Sequence, residues 1–175
     1  MSTSFRTVRP DQNEYAPYYG KYVGLVHDGD ITITLSKSHA DSIAILSDLT
    51  EQQAVSRYAP GKWSIKEVVG HVIDAERVFA YRALRFGRND KTPLPGFEQD
   101  DYVRIGRFDS RSLSSLVSEF DHVRRATLDL LDGLDEEAWN RRGVASNFEI
   151  SVRALAWVMA GHEIHHKKII RETYL

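Results

Sequence analysis

The sequence predicts an all-α protein, an antiparallel four-helix bundle, and three observations support this. Four segments carry apolar residues at spacings of three and four, the period of a helix that buries one face. Few segments alternate in the way that indicates a strand. The 175 residues, 42% hydrophobic and 27% charged, suffice for one packed core. We therefore expect a single domain over residues 1–175, with a loosely ordered polar segment over residues 1–14.

The first half of the chain predicts one short and two long helices. A short packing helix that ends before residues 27–30 is indicated by tyrosines at helical spacing, namely Tyr15, Tyr18, Tyr19 and Tyr22. The next helix is expected over residues 31–49, although the stretch ITITL alone would suit a strand. Ser64 stands three residues before Glu67, which is the spacing of a capping box at a helix start. A second long helix is therefore expected from Ser64 to about Gly87.

The second half of the chain predicts a long connection and two further long helices. The stretch RNDKTPLPGFEQDD has the length of a connection that lies over a site or crosses the end of a bundle. A third helix is expected from Leu113 to near Gly133. The motif DEEAW can form one helical turn. The polar stretch GVASNFEIS is interpreted as a connection to a last helix, which is capped by Ser151 and ends near residue 172. A crossover around the PLPGF loop is one arrangement of these helices.

Charge and composition argue against several classes of protein. The net charge is −2 and no block of like charge stands out, so we expect no nucleic-acid partner. No apolar run approaches the roughly 20 residues of a membrane-spanning helix, and residues 1–14 lack the apolar centre of a signal peptide. We therefore expect a cytoplasmic protein with no membrane partner. Because the chain has no cysteine, any metal must be held by His, Asp or Glu.

Three histidines lie close together in the stretch GHEIHHKKII at residues 161–170. On a helix, His162 and His166 fall about 40° apart within the apolar stripe, whereas His165 falls at its edge. Two imidazoles at positions i and i+4 can bind one divalent ion. A third ligand is expected from a facing helix, where His71 lies at the margin of the buried stripe. The remaining histidines are interpreted as surface or capping residues: His27, His39 and His122.

Three neutral imidazoles would leave a fourth position for water or substrate, which is the arrangement of catalytic zinc sites. By proximity, Glu67, Asp74 and Glu163 are candidates to hold the ligand imidazoles through hydrogen bonds. Glu67 and Asp74 are also the candidates for a catalytic base. The alternative is that the histidines are core residues, or the basic end of a helix that carries Lys167, Lys168 and Arg171. A basic helix end does not by itself explain why two imidazoles occupy the inward stripe.

At these residues the chain resembles the DinB/YfiT-like superfamily, the damage-inducible DinB proteins. RYAPGKWSIKEVVGHVIDAERVFAYRAL resembles the family's W-(S/T)-x-(K/R)-E-x-x-x-H segment, and GHEIHHKKI resembles its terminal H-x-x-x-H helix. The resemblance covers roughly residues 15 to 175. It implies a four-helix bundle with an open three-histidine metal site near one end, and often a homodimer. On this sequence the ligands fall on His71, His162 and His166, with zinc or nickel as the expected metal.

Characterised relatives in this family are metal-dependent transferases or isomerases that use thiols such as bacillithiol, mycothiol or glutathione. The resemblance therefore implies thiol S-transferase chemistry on a small-molecule substrate. Arg82 and Arg85 would meet a carboxylate of the thiol, with solvated surface arginines as the alternative. Phe97, Asp101 and Tyr102 would roof the site, or else be packing residues. A metal-dependent hydrolase, a non-catalytic stress-related bundle that binds metal or dimerises, and a site that binds nothing stay open.

Overall fold

The computed structural model describes residues 4–175, which form four long helices and several short elements. The long helices are α2 (Ile31–Ser47), α4 (Ile65–Gly87), α6 (Leu113–Asp132) and α8 (Val152–Ile169). The short helices are α1 (Gly20–Val23), α3 (Glu51–Ala54), α5 (Gln99–Gly106) and α7 (Glu136–Asn140). Single turns of 3-10 helix occupy Phe5–Thr7, Gln12–Glu14, Pro17–Tyr19 and Phe108–Ser110, and a π-helical turn follows α8 at Ile170–Tyr174. The all-α four-helix bundle that the sequence predicts is confirmed.

The start of each long helix is fixed by a side chain that caps backbone N–H groups. Asp30, Ser64, Ser112 and Ser151 accept hydrogen bonds from the first turns of α2, α4, α6 and α8. Such caps each contribute about 1 kcal/mol to helix stability. The capping box predicted at Ser64 and Glu67 is present.

The direction of the helices departs from a simple up-and-down order. Helices α4 and α6 run parallel, because Lys66 donates to the carbonyl oxygen of Arg111 near their starts while Gly87 lies against Leu134 near their ends. The connection over residues 88–112 therefore crosses the length of the bundle, as the crossover arrangement requires. Helices α2 and α6 run antiparallel, and so do α4 and α8.

One buried network of ion pairs joins all four long helices. Arg124 of α6 is fully buried, and its guanidinium donates to the two carboxylate oxygens of Glu76 in α4 at 2.8 and 2.7 Å. The same guanidinium donates to Glu163 of α8 at 2.8 Å and to the carbonyl oxygen of Leu35 in α2 at 2.7 Å. Ser42 of α2 donates to Glu163 at 2.6 Å. Because the partners come from different helices, the network fixes their relative positions.

Apolar residues fill the rest of the interior in two clusters along the bundle. One cluster surrounds the first half of α8 and includes the fully buried Trp139 and Trp157. The other lies between the first halves of α4 and α6 and includes Phe108 and Phe120. Within residues 4–175 no helix combines the length and the apolar character needed to cross a membrane.

The sequence did not predict two elements of the second half. Residues 142–151 form an antiparallel hairpin of β1 (Arg142–Ala145) and β2 (Phe148–Ser151), where we expected a polar lead into the last helix. Its two-residue turn, Ser146 and Asn147, has the positive φ angles that such hairpins favour. Leu94 pairs with this hairpin through backbone hydrogen bonds, so the hairpin holds the crossover connection in place. Helix α5 then begins within the stretch that we expected to be a loop.

The sequence predicts a loosely ordered segment over residues 1–14. Residues 1–3 lie outside the part of the chain that the structure describes. From residue 4 the segment packs on the bundle. Arg6 pairs with Asp132 at 2.6 Å, and Arg9 stacks over the ring of Trp157. Glu14 is buried and hydrogen-bonded to the start of the last helix. The polar composition suggested loose order because the partners of these charges are distant in sequence.

Replacing Arg124 with methionine would leave Glu76 and Glu163 buried without their cation. We expect the free energy of unfolding to fall by about 3–5 kcal/mol, because removing one partner of a buried ion pair exposes the full desolvation cost of the other. Urea denaturation measures the change. The matched control is Arg125→Met on the same helix, because Arg125 is exposed and pairs with Asp121 at the surface. In that variant the free energy of unfolding should fall by less than about 1 kcal/mol. Equal small losses in the two variants would show that the network is not a major source of stability.

Candidate metal centre

The structure brings His71 of α4 together with His162 and His166 of α8. One ligand nitrogen from each imidazole can be chosen so that all three lie within 4.8 Å of one another. The Nε2 atoms of His71 and His162 are 3.0 Å apart. The three ring centroids are separated by 4.5, 4.8 and 4.9 Å. His71 and His162 are buried, and His166 is partly exposed.

A glycine beside the cluster lets the N-terminal segment cover it. A Cβ atom at Gly161 would lie 2.0 Å from the carbonyl oxygen of Tyr22, so a larger residue would push α1 away from α8. With glycine there, the ring of Tyr22 packs against His162 at 5.2 Å and against His165 at 5.5 Å. The tyrosine-rich segment, which the sequence identified only as a packing helix, is therefore a wall of the site.

Aromatic side chains enclose the cluster on its other sides. The ring of Trp63 lies 4.9 Å from that of His71, and the Trp63 carbonyl oxygen accepts a hydrogen bond from the hydroxyl of Tyr174 at 2.6 Å. The ring of Phe79 lies 6.0 Å from that of His162. The histidines thus lie between the two apolar clusters of the core.

Burial lowers the pKa of all three imidazoles. It lowers the pKa of His71 to about 4. It lowers the pKa of His166 to about 3, with a smaller contribution from the neighbouring His71. Burial, and then the neighbouring His166, hold the pKa of His162 well below its ordinary value. All three imidazoles are therefore neutral near pH 7, the form in which histidine binds a metal.

The separation of the two buried imidazoles fits a tetrahedral metal ion. Two nitrogens bound to one zinc ion at about 2.0–2.1 Å lie about 3.3 Å apart, close to the 3.0 Å between the Nε2 atoms of His71 and His162. A hydrogen bond could also join those two atoms if one of them carried a proton. Such a bond would not involve His166. A nitrogen of His166 lies within 4.8 Å of a ring nitrogen of each of the other two histidines, which makes His166 the third candidate ligand.

The other histidines lie outside this cluster. His165 packs against Tyr22 and His166 at the edge of the site. His39, which we expected to be a surface or capping residue, is instead buried. Its Nε2 atom lies 3.2 Å from a carboxylate oxygen of Asp121. The sequence missed this burial because Asp121 belongs to α6, 82 residues away.

The carboxylates predicted to hold the imidazoles are engaged elsewhere. Glu67 completes the cap of α4 and pairs with Arg57 at 2.9 Å. Asp74 lies 3.9 Å from Arg77, and burial raises the pKa of its carboxyl group. Glu163 belongs to the buried ion-pair network. No hydrogen bond in the described part of the chain joins these carboxylates to the three imidazoles, so the predicted support of the imidazoles by these residues is wrong.

A cavity of about 470 Å³ opens over the cluster, with His71 and His162 in its lining. Aromatic rings make up much of its wall, and the other side chains in the lining that can supply charge or hydrogen bonds include Lys21, Arg82, Glu98, Gln99 and Ser146. Its size and mixed lining are typical of a site for a small molecule. Neither Glu67 nor Asp74 lines this cavity, which leaves their predicted role as catalytic bases without structural support.

The two candidate arginines have different positions. Arg82 lines the cavity and is 2% exposed. Arg85 lies outside it, bonded to Asp90 and Tyr81. Its predicted contact with a bound thiol is therefore not supported, because its partners are Tyr81 of α4 and Asp90 of the loop that follows.

The three residues proposed as a roof also divide. Phe97 lines the cavity. Tyr102 packs against Phe97, with ring centroids 5.1 Å apart, but does not line the cavity. Asp101 pairs with Arg104 on the exposed face of α5. Of the predicted roof, only Phe97 reaches the cavity.

Comparison with known proteins identifies relatives of this chain. The family model described as the DinB superfamily matches residues 34–170. A protein of Oceanobacillus iheyensis, provisionally named a metal-dependent hydrolase, is 25% identical over 123 residues, 69% of this chain and 70% of that protein. A second protein with that provisional name, from Geobacillus thermodenitrificans, is 31% identical over 103 residues, 56% of this chain and 55% of that protein. This chain thus spans just over half of the second relative.

Solved structures share the fold. YfiT from Bacillus subtilis, described as a provisional metal-dependent hydrolase with an unusual four-helix bundle topology, superposes with a TM-score of 0.68 at 14% identity. The match covers 98% of this chain and 96% of YfiT. A mycothiol-dependent maleylpyruvate isomerase superposes with a TM-score of 0.64 at 11% identity, over 78% of this chain and 57% of that chain.

The lowered pKa values predict how stability depends on pH in the metal-free protein. The ordinary pKa of 6.5 applies to His71 in the unfolded chain, and burial lowers it to about 4 in the fold. The unfolded chain therefore binds more protons between these pH values. We expect stability to be full above pH 6.5 and to fall as the pH drops toward 4, by about 3 kcal/mol from His71 alone.

Urea denaturation of chelator-treated protein across this pH range measures the effect. His71→Ala should show a shallower loss of stability with falling pH than the wild type. His122→Ala is the matched control, because His122 is exposed, and should keep the wild-type slope. Identical slopes in the wild type and in His71→Ala would contradict the expected titration.

Proposed function

This chain belongs to the DinB superfamily, and on that premise we propose that it is an enzyme in which His71, His162 and His166 hold one divalent metal ion. The observation that carries the proposal is a cluster of three neutral imidazoles, two of which, His71 and His162, line an open cavity. A structural zinc site is closed by a fourth protein ligand. Within residues 4–175 no further His, Asp or Glu joins this cluster. Zinc or nickel suits a set of imidazole ligands.

The chain's own residues would bind the substrate and orient it at this site. A divalent ion held by these three imidazoles would supply a Lewis acid, which would lower the pKa of a bound thiol or water. Tyr22 and Phe79 pack beside His162 and limit the access of bulk water to it. The cavity is large enough to hold a small molecule against the histidines.

Within this class we favour transfer chemistry on a low-molecular-weight thiol such as bacillithiol, mycothiol or glutathione. Among the described residues, the one carboxylate that lines the cavity is Glu98, which is exposed. No side chain with an evident role as a base therefore adjoins the histidines. A thiol needs none, because coordination alone makes it a thiolate at neutral pH. This chain also shares its fold with a mycothiol-dependent isomerase, and that fold is compatible with thiol chemistry.

Hydrolysis is the second candidate, and the provisional names of two relatives favour it. In that reaction a water molecule would attack an ester or amide, and a neighbouring carboxylate would serve as the base. Because Glu67 and Asp74 do not line the cavity, deprotonation of the water would depend on the lowered pKa alone.

The remaining expectations about assembly and role are part of the proposal. We propose a single-domain protein that forms a homodimer and acts on a small molecule, without nucleic-acid or membrane partners. A non-catalytic, stress-related bundle is the alternative. It predicts that chelation lowers the melting temperature by several degrees and that no thiol or substrate binds.

A pair of assays on metal-loaded protein tests the reaction. The first follows glutathione or bacillithiol with 1-chloro-2,4-dinitrobenzene, in which sulfur bonds to the ring carbon and chloride leaves. The second follows hydrolysis of 4-nitrophenyl acetate with and without thiol. We expect a thiol-dependent rate that His162→Ala reduces by about a hundredfold or more, since residues that only support ligands already contribute about 10- to 100-fold. His165→Ala is the matched control and should retain the rate.

The outcomes distinguish the candidates. Ester hydrolysis that requires metal and is unaffected by thiol would replace the transferase with the hydrolase. The absence of both reactions, together with a lower melting temperature after chelation, would favour the non-catalytic bundle.

A further inference from the structure

Arg82 of α4 carries a buried positive charge without an acidic partner among residues 4–175. Its side chain is 2% exposed. The Nη2 group donates to the carbonyl oxygen of Pro95 at 2.9 Å and to the hydroxyl of Ser146 at 3.0 Å, and both acceptors are neutral. Arg124, the other buried arginine of the bundle, differs because two carboxylates neutralise it. A buried charge without a counter-ion is unfavourable, so an anion in the cavity would stabilise Arg82.

The groups around Arg82 do not supply the missing negative charge. Burial raises the pKa of Tyr19 above its ordinary value, so the phenol next to Arg82 stays neutral. The ring of Phe79 lies 6.0 Å from the guanidinium carbon, where it offers only a weak cation–π contact. Glu98 lines the same cavity but is exposed and forms no ion pair with Arg82. Lys21, also in the lining, adds a second positive charge.

Arg82 and the histidines are within reach of one small ligand. Phe79 is close to both, with its ring centroid 6.0 Å from the guanidinium carbon of Arg82 and 6.0 Å from the ring of His162, so those two groups are at most about 12 Å apart. Both Arg82 and His162 line the cavity of about 470 Å³. A ligand that lies across Phe79 therefore places one end at the charge and the other at the candidate metal centre.

We propose that Arg82 binds the carboxylate of the small molecule that this cavity takes up. The inference rests on the proposed function, because it assigns the class of ligand to the cavity of the candidate metal centre. The ligand is an organic carboxylate whose reacting group lies a few bonds from the charge. Lys21 and Glu98 of the lining carry opposite charges, so Arg82 leaves one net positive charge in the cavity, which suits a carboxylate better than a phosphate dianion. The aromatic walls suit a flat or apolar body between its two ends.

Benzoate is a suitable probe, and benzamide is its neutral match. Their binding to wild type, Arg82→Gln and Arg85→Gln is measured by calorimetric titration, with metal-loaded protein and again after chelation. We expect benzoate to bind wild type in both states and to bind Arg82→Gln about tenfold more weakly or worse. Benzamide should bind weakly to every protein. Arg85→Gln is the matched control, because Arg85 lies on the same helix outside the cavity.

A second variant keeps the test decisive if Arg82→Gln fails to fold. Arg82→Lys retains the charge and should retain benzoate binding with intermediate affinity. Equal benzoate affinity in wild type and Arg82→Gln would overturn the proposal, as would wild type that binds benzoate no better than benzamide. Inorganic phosphate that displaces benzoate more effectively than acetate does would also overturn it. If the proposed function is wrong, the wild type takes up no metal. That result is distinct from the test of Arg82, because benzoate would still bind to the chelated protein.

Discussion

The fully buried Arg124 is the constraint on which the rest of the bundle depends. Its guanidinium joins Glu76 of α4 to Glu163 of α8, and these are the two helices that carry the candidate ligands. Glu163 directly follows His162 in sequence, and Glu76 lies five positions after His71. Because a buried carboxylate without its cation is costly, α4 and α8 cannot slide past one another. The network therefore fixes the level at which His71 faces the histidines of α8.

The two buried arginines show how the same residue type serves stability and binding. Arg124 has two carboxylate partners within the protein, so its charge is balanced without a ligand. Arg82 has only neutral acceptors and lines a cavity, so its charge is available to a ligand. The candidate metal centre follows a similar pattern. Its imidazoles are kept neutral by burial, and two of them, His71 and His162, line that cavity.

Much of this could be predicted from the sequence, because the signals are local. The period of apolar residues predicts the long helices, the Ser64 and Glu67 spacing predicts the start of α4, and the i, i+4 spacing predicts that His162 and His166 share a face. What the sequence could not predict depends on contacts between distant segments. Glu163 was expected to support an imidazole, but its partner is Arg124 of a different helix. The hairpin turn at Ser146 and Asn147 lacks the Asn-Gly pair that is the strong sequence signal for such turns. The tyrosines beside the site belong to an N-terminal segment that only the folded chain brings there.

Metal content measures the central claim most directly. Untagged wild type, His71→Ala and His165→Ala are each equilibrated with zinc or nickel, dialysed and examined by elemental analysis. Three converging imidazoles predict about one ion per chain in wild type and in His165→Ala, and little in His71→Ala. Full metal content in His71→Ala, or its loss in His165→Ala, would contradict the three-histidine centre.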